Sequence, residues 1–546
     1  MYLNFKDTVV EFLKKNPSLT AANMAIALSL SPLNDILLPH LYGKLVNVVE
    51  RGEPYTFNLI TVIVALLVVQ VGTFVKDYVD LHTQPMIYDF IKTSMVHAML
   101  KKYDGDLSEP KTGDILSKIV RSPEIVSYWT SMILEYFIPQ MVTFAISLVY
   151  FMYYDVVLGA SMFAMVAAIV TLLIVAPWMC MRASIVREKA LNDVHEDVED
   201  IIRNLVSVYS NDTANEELAA LQTTGKSFKK ANAIVMSCLL KYKAISVPFV
   251  GVFICLVVCR CCYLIKVGKL KTGNFVSIFM ITTTMVNTLM WLVNIIKDAT
   301  LDVGAIVHSQ DVFSKSPSPP RHDNSTHTTN PPFPDGIGFF DATFSHSGAI
   351  RPVLSDVSVH FEAGERTVIT GDIGSGKSTM LKLMMAFMKP QKGDLYVNGS
   401  WYSGLNPRLV RRMVAYMPQD AILFDRTIAQ NILYGSRDKT VDDVHAIIEA
   451  LGVWGEFGNM EKGVDTMAGK NGSHLSGGQR QLVWFMRIVL RNPAIIILDE
   501  PTASMDTSTK RILMQALDVI SRGKTIIMVT HDDDLLKFAT RRVSWL

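Results

Sequence analysis

The chain has 546 residues, of which 50% are hydrophobic and 19% are charged. Soluble domains carry about 25% charged residues, so the low charge and the positive mean hydropathy indicate a membrane-embedded portion. The net charge of +1 provides no bulk attraction for a polyanion, so we expect no nucleic-acid partner.

The first part of the chain, residues 1–310, contains most of the long apolar segments. No cleavable secretory signal is evident, and Asp7 and Glu11 argue against a transit peptide. Six segments are long enough for a helix of about 20 residues across a hydrocarbon core about 30 Å thick. They are residues 19–45, 57–78, 133–154, 158–178, 247–265 and 275–296. We therefore expect a membrane domain of six spanning helices.

The connections between these segments alternate in length. Residues 78–132 and 179–246 form long, charged connections that we expect to be helical, whereas the other connections are short. A helix from 57 to 102, with Pro85 as a kink, would be about 69 Å long and would extend far beyond the bilayer. Lysine and arginine are frequent in both long connections. The positive-inside rule then places these connections, the amino terminus and the carboxy-terminal domain in the cytoplasm.

Polar residues within the apolar segments leave two interpretations open. Asp35 and Arg260 are charged, and Asn287 and Asn294 lie on one face of the sixth helix. Intramembrane polar groups line a cavity, or they form hydrogen bonds to neighbouring helices.

The six cysteines lack the paired spacing that is typical of a zinc site. All of them lie in or beside apolar stretches, so we expect thiols in the core or facing lipid. The role of the cluster Cys259, Cys261 and Cys262 stays open.

A change in composition marks the end of the membrane domain. Residues 311–335 are rich in proline and serine, which is typical of a linker. Residues 336–546 alternate short apolar runs with helical patterns, which predicts a soluble α/β domain. The run 366–370 predicts a strand, and the runs 495–498 and 525–529 predict buried parallel strands.

A glycine-rich loop connects the first of these strands to a helical segment, residues 380–385. Its pattern is a glycine, four residues and then Gly-Lys-Ser, which predicts backbone N–H groups and a helix N-terminus around a polyphosphate. Lys377 is expected to contact the β- and γ-phosphates, and Ser378 to ligate Mg²⁺. The nucleotide-binding candidates in this phosphate loop are Gly371, Asp372, Ile373, Gly374, Ser375, Gly376, Lys377, Ser378 and Thr379.

Further polar motifs follow the loop. Asp499 ends an apolar strand, where its carboxylate is expected to hold Mg²⁺, and Glu500 is expected to face the opposite side of that strand. Ser476 opens a helix whose N-terminus favours an anion. In chain order the motif residues are Gln419, then Ser476, Gly477, Gly478 and Gln479, then Asp499, Glu500, Asp506 and His531.

These motifs, in this order and spacing, resemble those of the ATP-binding cassette (ABC) family, and the chain is similar to an exporter-type half-transporter. The resemblance implies a membrane all-α six-helix domain, residues 1–310, followed by a P-loop α/β nucleotide-binding domain, residues 336–546. It implies an ATPase that uses ATP and Mg²⁺ to move a substance across a membrane. It also implies a partner, either a second copy in a homodimer or another half-transporter.

The resemblance implies catalytic and metal-binding roles. Glu500 matches the general base, and His531 matches the residue that contacts the γ-phosphate. Gln419 matches a sensor of Mg²⁺ and of the attacking water. Mg²⁺ would be held by Ser378, Gln419 and Asp499.

The resemblance also implies a shared site. Residues 476–479, the signature segment, would act on the ATP of the partner subunit, and Asp506 would lie at the dimer interface. His346 stands where the family stacks the adenine on an aromatic residue, typically Tyr, and its imidazole offers less area than a phenol ring.

The expected function is ATP-driven export by alternating access in a multi-pass membrane protein. The substrate, whether a small molecule, a lipid or a peptide, stays open, as does the identity of the membrane. The main alternative is a nucleotide-gated channel or a membrane regulator that uses the same cassette. A soluble cassette ATPase acting on DNA or translation would not need six spans, and importers of this family usually keep the cassette on a separate chain.

Overall fold

The computed structural model of the chain describes residues 5–104, 112–314, 331–346, 349, 351–372, 374–457, 460 and 462–545. The chain forms two compact units. The first comprises Met1–Leu100 and Pro110–Lys315, and the second comprises Lys101–Glu109 and Ser316–Leu546.

The described part of the first unit is helical. Several of its helices are far longer than a bilayer crossing needs, because their apolar segments continue into charged segments without a helix-breaking stretch. The helices are α1 (Phe5–Lys15), α2 (Pro17–Pro32), α3 (Leu38–Glu50), α4 (Thr56–Lys102), α5 (Thr112–Ser131), α6 (Ile138–Tyr154), α7 (Val156–Arg203), α8 (Leu205–Ser210), α9 (Ala214–Lys266) and α10 (Thr272–Ser314).

Six helical stretches in the described residues are long and apolar enough to cross a membrane. This confirms the predicted six-helix class, and α4 is one continuous helix of 47 residues with Pro85 inside it. The stretches are Pro17–Glu50, Thr56–Lys102, Lys118–Tyr154, Val156–Arg203, Ala214–Lys266 and Thr272–Ile306. Their common core lies where α6, α7, α9 and α10 pack, with Phe151, Met162 and Ile281 fully buried.

Two short π-helical turns join helices of the first unit into longer stretches. The turn Leu33–Leu37 links α2 to α3, and the turn Met132–Phe137 links α5 to α6. Each turn contains one buried carboxylate. Asp35, in the first, accepts hydrogen bonds from Asn34 Nδ2 at 2.9 Å and from Gln140 Nε2 at 3.4 Å. This charge therefore bonds to neighbouring groups within the helix bundle.

Arg260 and Asn294 also have partners within the first unit. Arg260 donates two hydrogen bonds to Asp155, from Nε at 3.0 Å and from Nη2 at 2.8 Å. Asp155 is also the N-cap of α7 and accepts from the backbone of Val157 at 2.9 Å. Lys243 Nζ donates to Asn294 Oδ1 at 2.7 Å.

The cysteines differ in part from the expectation of thiols. Cys180 of α7 and Cys238 of α9 form a disulfide, a pairing that the sequence did not indicate because the two residues are 58 positions apart. The other four are free: Cys261 is buried, and Cys255, Cys259 and Cys262 are exposed.

The second unit contains two sheets. One is antiparallel with the order β2-β1-β4-β5, and the other is parallel with the order β6-β7-β8-β3-β9. The strands predicted at 495–498 and 525–529 are both central in the parallel sheet and are fully buried. The strands are β1 (Ile337–Phe344), β2 (Leu354–Phe361), β3 (Arg366–Gly371), β4 (Lys392–Val397), β5 (Ser400–Trp401), β6 (Val414–Met417), β7 (Ile495–Asp499), β8 (Thr525–Val529) and β9 (Arg541–Trp545).

Helices cover the parallel sheet, as expected because its inner strands β7 and β8 are buried on both faces. A core of side chains such as Met380, Ile497 and Phe361 lies between the two sheets and α11, and a second core joins α16 and α17 to the parallel sheet. The helices are α11 (Lys377–Met384), α12 (Pro407–Met413), α13 (Ile428–Ile432), α14 (Val441–Ala450), α15 (Trp454–Phe457), α16 (Gly477–Arg491), α17 (Thr507–Ile520) and α18 (Asp533–Phe538).

Candidate active site

The carboxyl ends of four parallel strands meet at one edge of the sheet. Asp499, the last residue of β7, pairs with Val529, the last residue of β8, and Val529 pairs with Ile369 near the end of β3. Met417, the last residue of β6, pairs with Leu498 of β7. The residues that follow these strands therefore share one edge, which is where open α/β sheets bind ligands.

The phosphate loop runs from β3 to α11, and its turn depends on glycine. Gly376 has φ of 90°, and a Cβ there would lie 2.7 Å from Val353 Cγ1, so a larger residue would be strained and crowded. Lys377 Nζ donates to the backbone oxygens of Gly371 and Asp372, each at 2.7 Å. The lysine therefore folds back over the loop. Of the nine loop residues predicted to bind nucleotide, Ile373 lies outside the described residues.

The far side of the loop is held by the end of the chain. Trp545 Nε1 in β9 donates to the backbone oxygen of Ser375 at 2.8 Å. Gly371 also approaches this strand, since a Cβ on it would lie 2.1 Å from the Trp545 oxygen. These two contacts hold the phosphate loop against β9.

His346 lies next to the start of α11. Its Nε2 is 3.4 Å from Thr379 Oγ1, and its ring packs edge-on against Phe344 with centroids 5.1 Å apart. Phe344 is a buried residue of β1, whereas His346 is exposed. The imidazole therefore presents an accessible ring beside the phosphate loop.

Asp499 lies in a largely buried position at the sheet edge. Tyr416 Oη donates to Asp499 Oδ2 at 3.1 Å. Burial raises the pKa of the Asp499 carboxyl, and hydrogen bonds from Tyr416 and Ser378 oppose that shift. Sequence reasoning missed Tyr416. Its location in the strand before Gln419 was the available signal, because that strand borders β7.

The oxygen atoms at this edge are suitable ligands for a magnesium ion. Ser378 contributes a hydroxyl and Asp499 a carboxylate, and the two are within hydrogen-bonding reach of each other. Mg²⁺ prefers such hard oxygen ligands. Gln419 follows β6 at the same edge and is exposed.

Glu500 adopts a backbone conformation that is unusual for this residue type. Its φ is 47°, in the left-handed region, and its N–H donates to Val529 O at 2.9 Å. From the sequence, strand alternation was the expected reason for its direction. That reason is wrong, because β7 ends at Asp499 and the left-handed turn sets the direction of Glu500 instead. Such backbone strain often accompanies functional residues.

The Glu500 side chain faces His531. Glu500 Oε1 lies 3.9 Å from His531 Nε2, and the glutamate side chain is 20% exposed while the histidine is 61% exposed. Burial raises the pKa of the Glu500 carboxyl, and the nearby imidazole opposes the shift. Gln481 Nε2 of α16 donates to the Glu500 backbone oxygen at 3.4 Å, a contact that the sequence did not indicate.

The signature segment forms the capped start of α16. Ser476 Oγ accepts from Gln479 N at 3.1 Å, and Gln479 Oε1 accepts from Ser476 N at 3.0 Å, which is a capping box. A Cβ on Gly477 would lie 2.7 Å from Ser504 Cβ, and Gly478 also packs against Ser504. The glycines let the helix start lie close to the segment that precedes α17.

Asp506 caps the next helix. It is the N-cap of α17 and accepts from Thr509 N at 2.7 Å and from Ser508 Oγ at 2.9 Å. The Thr509 N–H lowers the pKa of the Asp506 carboxyl, so Asp506 is ionised at neutral pH.

Comparisons with known protein families cover both units. Residues 19–289 match the ABC transporter transmembrane region, and residues 354–503 match the ABC transporter family. The two matches occur in the order in which the sequence motifs predicted them.

Individual relatives agree with this assignment. The chain is 24% identical over 478 residues to an export ATP-binding/permease protein of Rickettsia conorii, covering 87% of this chain and 82% of that protein. It is 30% identical over 265 residues to an ATP-dependent lipid A-core flippase of Hahella chejuensis, covering 48% and 45%. A solved bacterial Atm1-family ABC exporter with ATP bound has the same fold, with a TM-score of 0.81 at 19% identity, covering 98% and 94%.

Proposed function

The chain belongs to the ABC transporter family and couples ATP hydrolysis to export across a membrane as a half-transporter, and from this premise we propose the residues that carry out each step. These relatives are an export ATP-binding/permease protein and a lipid A-core flippase, which does not favour the alternative of a nucleotide-gated channel. The flippase is named for a substrate, whereas the Rickettsia conorii protein is not. We therefore assign the residues of the ATP-hydrolysing site, and the substrate is left to be identified by experiment.

ATP binds along the edge where the parallel strands end. The phosphate loop, residues 371–379, surrounds the phosphates with backbone N–H groups at the start of α11. Lys377 exchanges the backbone oxygens of Gly371 and Asp372 for phosphate oxygens, which carry more negative charge. His346 stacks on the adenine, which is supported by its exposed ring next to Thr379.

Hydrolysis needs a water that is deprotonated as it attacks the terminal phosphate. Glu500 accepts that proton, and its position beside His531 supports this role. His531 contacts the γ-phosphate and keeps the carboxylate oriented. Mg²⁺ would be held by Ser378, Asp499 and Gln419, where it would neutralise phosphate charge.

A single chain carries one phosphate loop and one signature segment, so a complete site needs two chains. The N-terminus of α16, capped by Ser476, faces the phosphates of a partner subunit. Asp506 contributes to the interface between the two cassettes. The partner is a second copy of this chain or another half-transporter.

The two nucleotide-binding domains close on ATP and separate after hydrolysis, and this cycle changes the side from which the membrane cavity is open. The domains and the amino terminus face the cytoplasm. The frequent lysine and arginine residues in the connections 78–132 and 179–246 support this orientation.

The observation that carries the proposal is the arrangement at one sheet edge of a phosphate loop, a buried Asp499 and a strained Glu500 beside His531. The test is Glu500→Gln in the purified full-length protein. We expect ATP turnover to fall by at least about 100-fold while ATP still binds, because the amide fills the same space but cannot accept the proton.

Glu449→Gln, in an exposed position on α14, is the matched control and should retain wild-type turnover. Turnover by Glu500→Gln at the wild-type rate would rule out Glu500 as the base.

A further inference from the structure

A cavity in the first unit lies where α4, α5 and α10 meet. Its volume is about 780 Å³, which suits a drug-sized organic molecule. Its walls combine charged and aromatic groups with aliphatic ones. The lining residues that matter here are Asp80, Tyr88, Arg121, Glu124, Tyr128 and Asp302.

The charges on the walls are mainly negative. Three of the four charged lining residues are carboxylates, and Arg121 is the one cation among them in the described part of the chain. Arg121 forms an ion pair with Glu188 of α7, whose side chain is 4% exposed. Glu188 also pairs with Arg187 at 3.3 Å, so Glu188, Arg121 and Arg187 together carry one positive charge. The three lining carboxylates therefore still exceed the nearby cations by two charges.

A buried polar cluster behind Asp80 does not reduce this surplus, because its one cation is matched by a further carboxylate. Asp80 accepts hydrogen bonds from Lys76 Nζ at 2.7 Å and from Asn23 Nδ2 at 2.8 Å. Asn23 Nδ2 also donates to Glu135 Oε1 at 3.0 Å, and Lys76 lies 3.8 Å from Glu135 Oε2. The single positive charge of Lys76 is thus shared between the carboxylates of Asp80 and Glu135, so it does not also neutralise the other carboxylates of the cavity wall.

The same cluster contains acceptors without a donor. Glu135 and Asn23 are each 3% exposed, and neither Glu135 Oε2 nor Asn23 Oδ1 receives a hydrogen bond from the described residues. Buried polar atoms are normally paired. These two acceptors lie beside Asp80, whose carboxylate also lines the cavity, so this side of the cavity is rich in hydrogen-bond acceptors.

The wall also provides an aromatic surface. Tyr128 is exposed and packs edge-on against Trp129 with centroids 5.4 Å apart, and Trp129 Nε1 donates to Asp302 Oδ2 at 2.9 Å. Lys92 already lies 5.4 Å from the centroid of Tyr88, whereas no lysine or arginine contact is found over Tyr128 among the described residues. A cation is attracted to the face of such a ring.

We propose that this cavity is a substrate-binding site for organic cations, meaning largely hydrophobic molecules with one positive charge. Glu124 and Asp302 act as counter-ions, and Tyr128 provides the ring surface against which the molecule packs. This inference rests on the proposed export function and adds the substrate class to it.

Two probes of the same shape and opposite charge test the sign directly. Binding of tetraphenylphosphonium and of tetraphenylborate to the full-length protein in nanodiscs is measured, with empty nanodiscs subtracted to remove partition into lipid. We expect the phosphonium ion to bind specifically and the borate ion to show no specific binding. Equal binding of the two ions, or stronger binding of borate, would overturn the inference.

Substitutions then locate the site. Glu124→Gln and Asp302→Asn should each weaken phosphonium binding about tenfold, because each removes one counter-ion and keeps the shape of the wall. Asn at position 302 can still accept the hydrogen bond from Trp129, and Asp302→Glu, which restores the charge, should recover binding. Asp193→Asn, an exposed position on α7, is the control and should bind like the wild type. Unchanged binding in both cavity variants would overturn the proposed location.

The binding assay needs no hydrolysis, so the two proposals fail separately. If Glu500→Gln abolishes turnover but phosphonium does not bind specifically, only the cavity inference is wrong. If phosphonium binds and the cavity variants weaken it while Glu500→Gln hydrolyses ATP normally, only the catalytic assignment is wrong.

Discussion

We expect the nucleotide affinity of this protein to depend on His346. Its exposed imidazole lies beside Thr379 at the start of α11. His346→Tyr should tighten ATP binding about twofold to tenfold, because the phenol ring offers more stacking area, and His346→Ala should weaken it by a similar factor. Binding is measured with a fluorescent ATP analogue in the Glu500→Gln background, so that hydrolysis does not interfere.

The control for His346 is His445→Tyr on α14, which should leave nucleotide affinity unchanged. If His346→Tyr and His346→Ala bind the analogue equally well, the imidazole does not contact the base.

Tyr416 is expected to orient the carboxylate of Asp499, the proposed Mg²⁺ ligand. Its hydroxyl donates to Asp499 Oδ2 at 3.1 Å. Tyr416→Phe keeps the ring but removes the donor, so Asp499 loses a fixed orientation. The Mg²⁺ concentration for half-maximal ATPase activity should rise about threefold to tenfold, which corresponds to a loss of about 0.6–1.4 kcal/mol, the typical net contribution of one hydrogen bond. A titration of activity against free Mg²⁺ gives this value.

Tyr402→Phe is a matched control, since Tyr402 Oη donates to the backbone oxygen of Met384 at 2.7 Å, away from the carboxylate. An identical Mg²⁺ dependence in Tyr416→Phe and the wild type would contradict the orienting role.

At the scale of residues, the sequence predicts those functional side chains that belong to a local motif. The phosphate loop is a local pattern, and Asp499 ends a recognisably apolar strand, so both are predictable. Tyr416 and Gln481 are close to Asp499 and Glu500 only because strands and helices bring them together. The left-handed backbone of Glu500 also depends on its hydrogen bond to Val529 in the next strand.

At the scale of elements, the junction of α6, α7 and α9 combines a helix cap with an ion pair. Asp155 caps α7 and also binds Arg260 of α9. Asp155→Ala removes both interactions, whereas Asp155→Asn keeps the cap and loses the charge. We expect Asp155→Ala to lower the thermal unfolding temperature more than Asp155→Asn does, with the cap contributing about 1 kcal/mol.

Arg260→Gln is the companion variant and should resemble Asp155→Asn, because each removes only one charge of the pair. Thermal unfolding of the purified protein in detergent gives the comparison. Equal unfolding temperatures for Asp155→Ala and Asp155→Asn would show that the cap contributes nothing.

The elements themselves were predictable where composition is extreme. Six apolar segments and the buried strands β7 and β8 follow from hydrophobicity alone. The π-helical turns at Leu33–Leu37 and Met132–Phe137 cannot be predicted from hydrophobicity, because they accommodate packing between helices that are distant in sequence. The disulfide between Cys180 and Cys238 is hidden for the same reason.

At the scale of the whole molecule, the proposed shared site predicts an unusual complementation. Lys377→Ala disables the phosphate loop, and Ser476→Asp keeps the cap of α16 but repels an anion. Consider a mixed dimer with Lys377→Ala on one chain and Ser476→Asp on the other. One site then combines the altered phosphate loop with the altered signature segment, and the second site consists of two unaltered segments. Such dimers, isolated with two affinity tags, should hydrolyse ATP.

The reciprocal arrangement places both substitutions on one chain and pairs it with a wild-type chain. Each site then contains one defect, and we expect no hydrolysis. The opposite result, with activity only in this second dimer, would mean that each site is built within a single chain.

The whole-molecule class was accessible from sequence because membrane spans and cassette motifs are separate, strong patterns in one chain. The substrate was not accessible, because the cavity that we assign to it is formed by residues from three helices. Glu124 and Asp302 lie far apart in sequence, and only their common location in the fold makes them a pair.

The continuity of α4 has a mechanical consequence. This helix of 47 residues is about 70 Å long, and within it even Pro85 does not break the helical path. A helix of that length that turns as one body acts as a lever, and a tilt of only about 5° displaces one end by about 6 Å relative to the other. A small angular change at one end of α4 thus becomes a displacement of several ångströms at the other end.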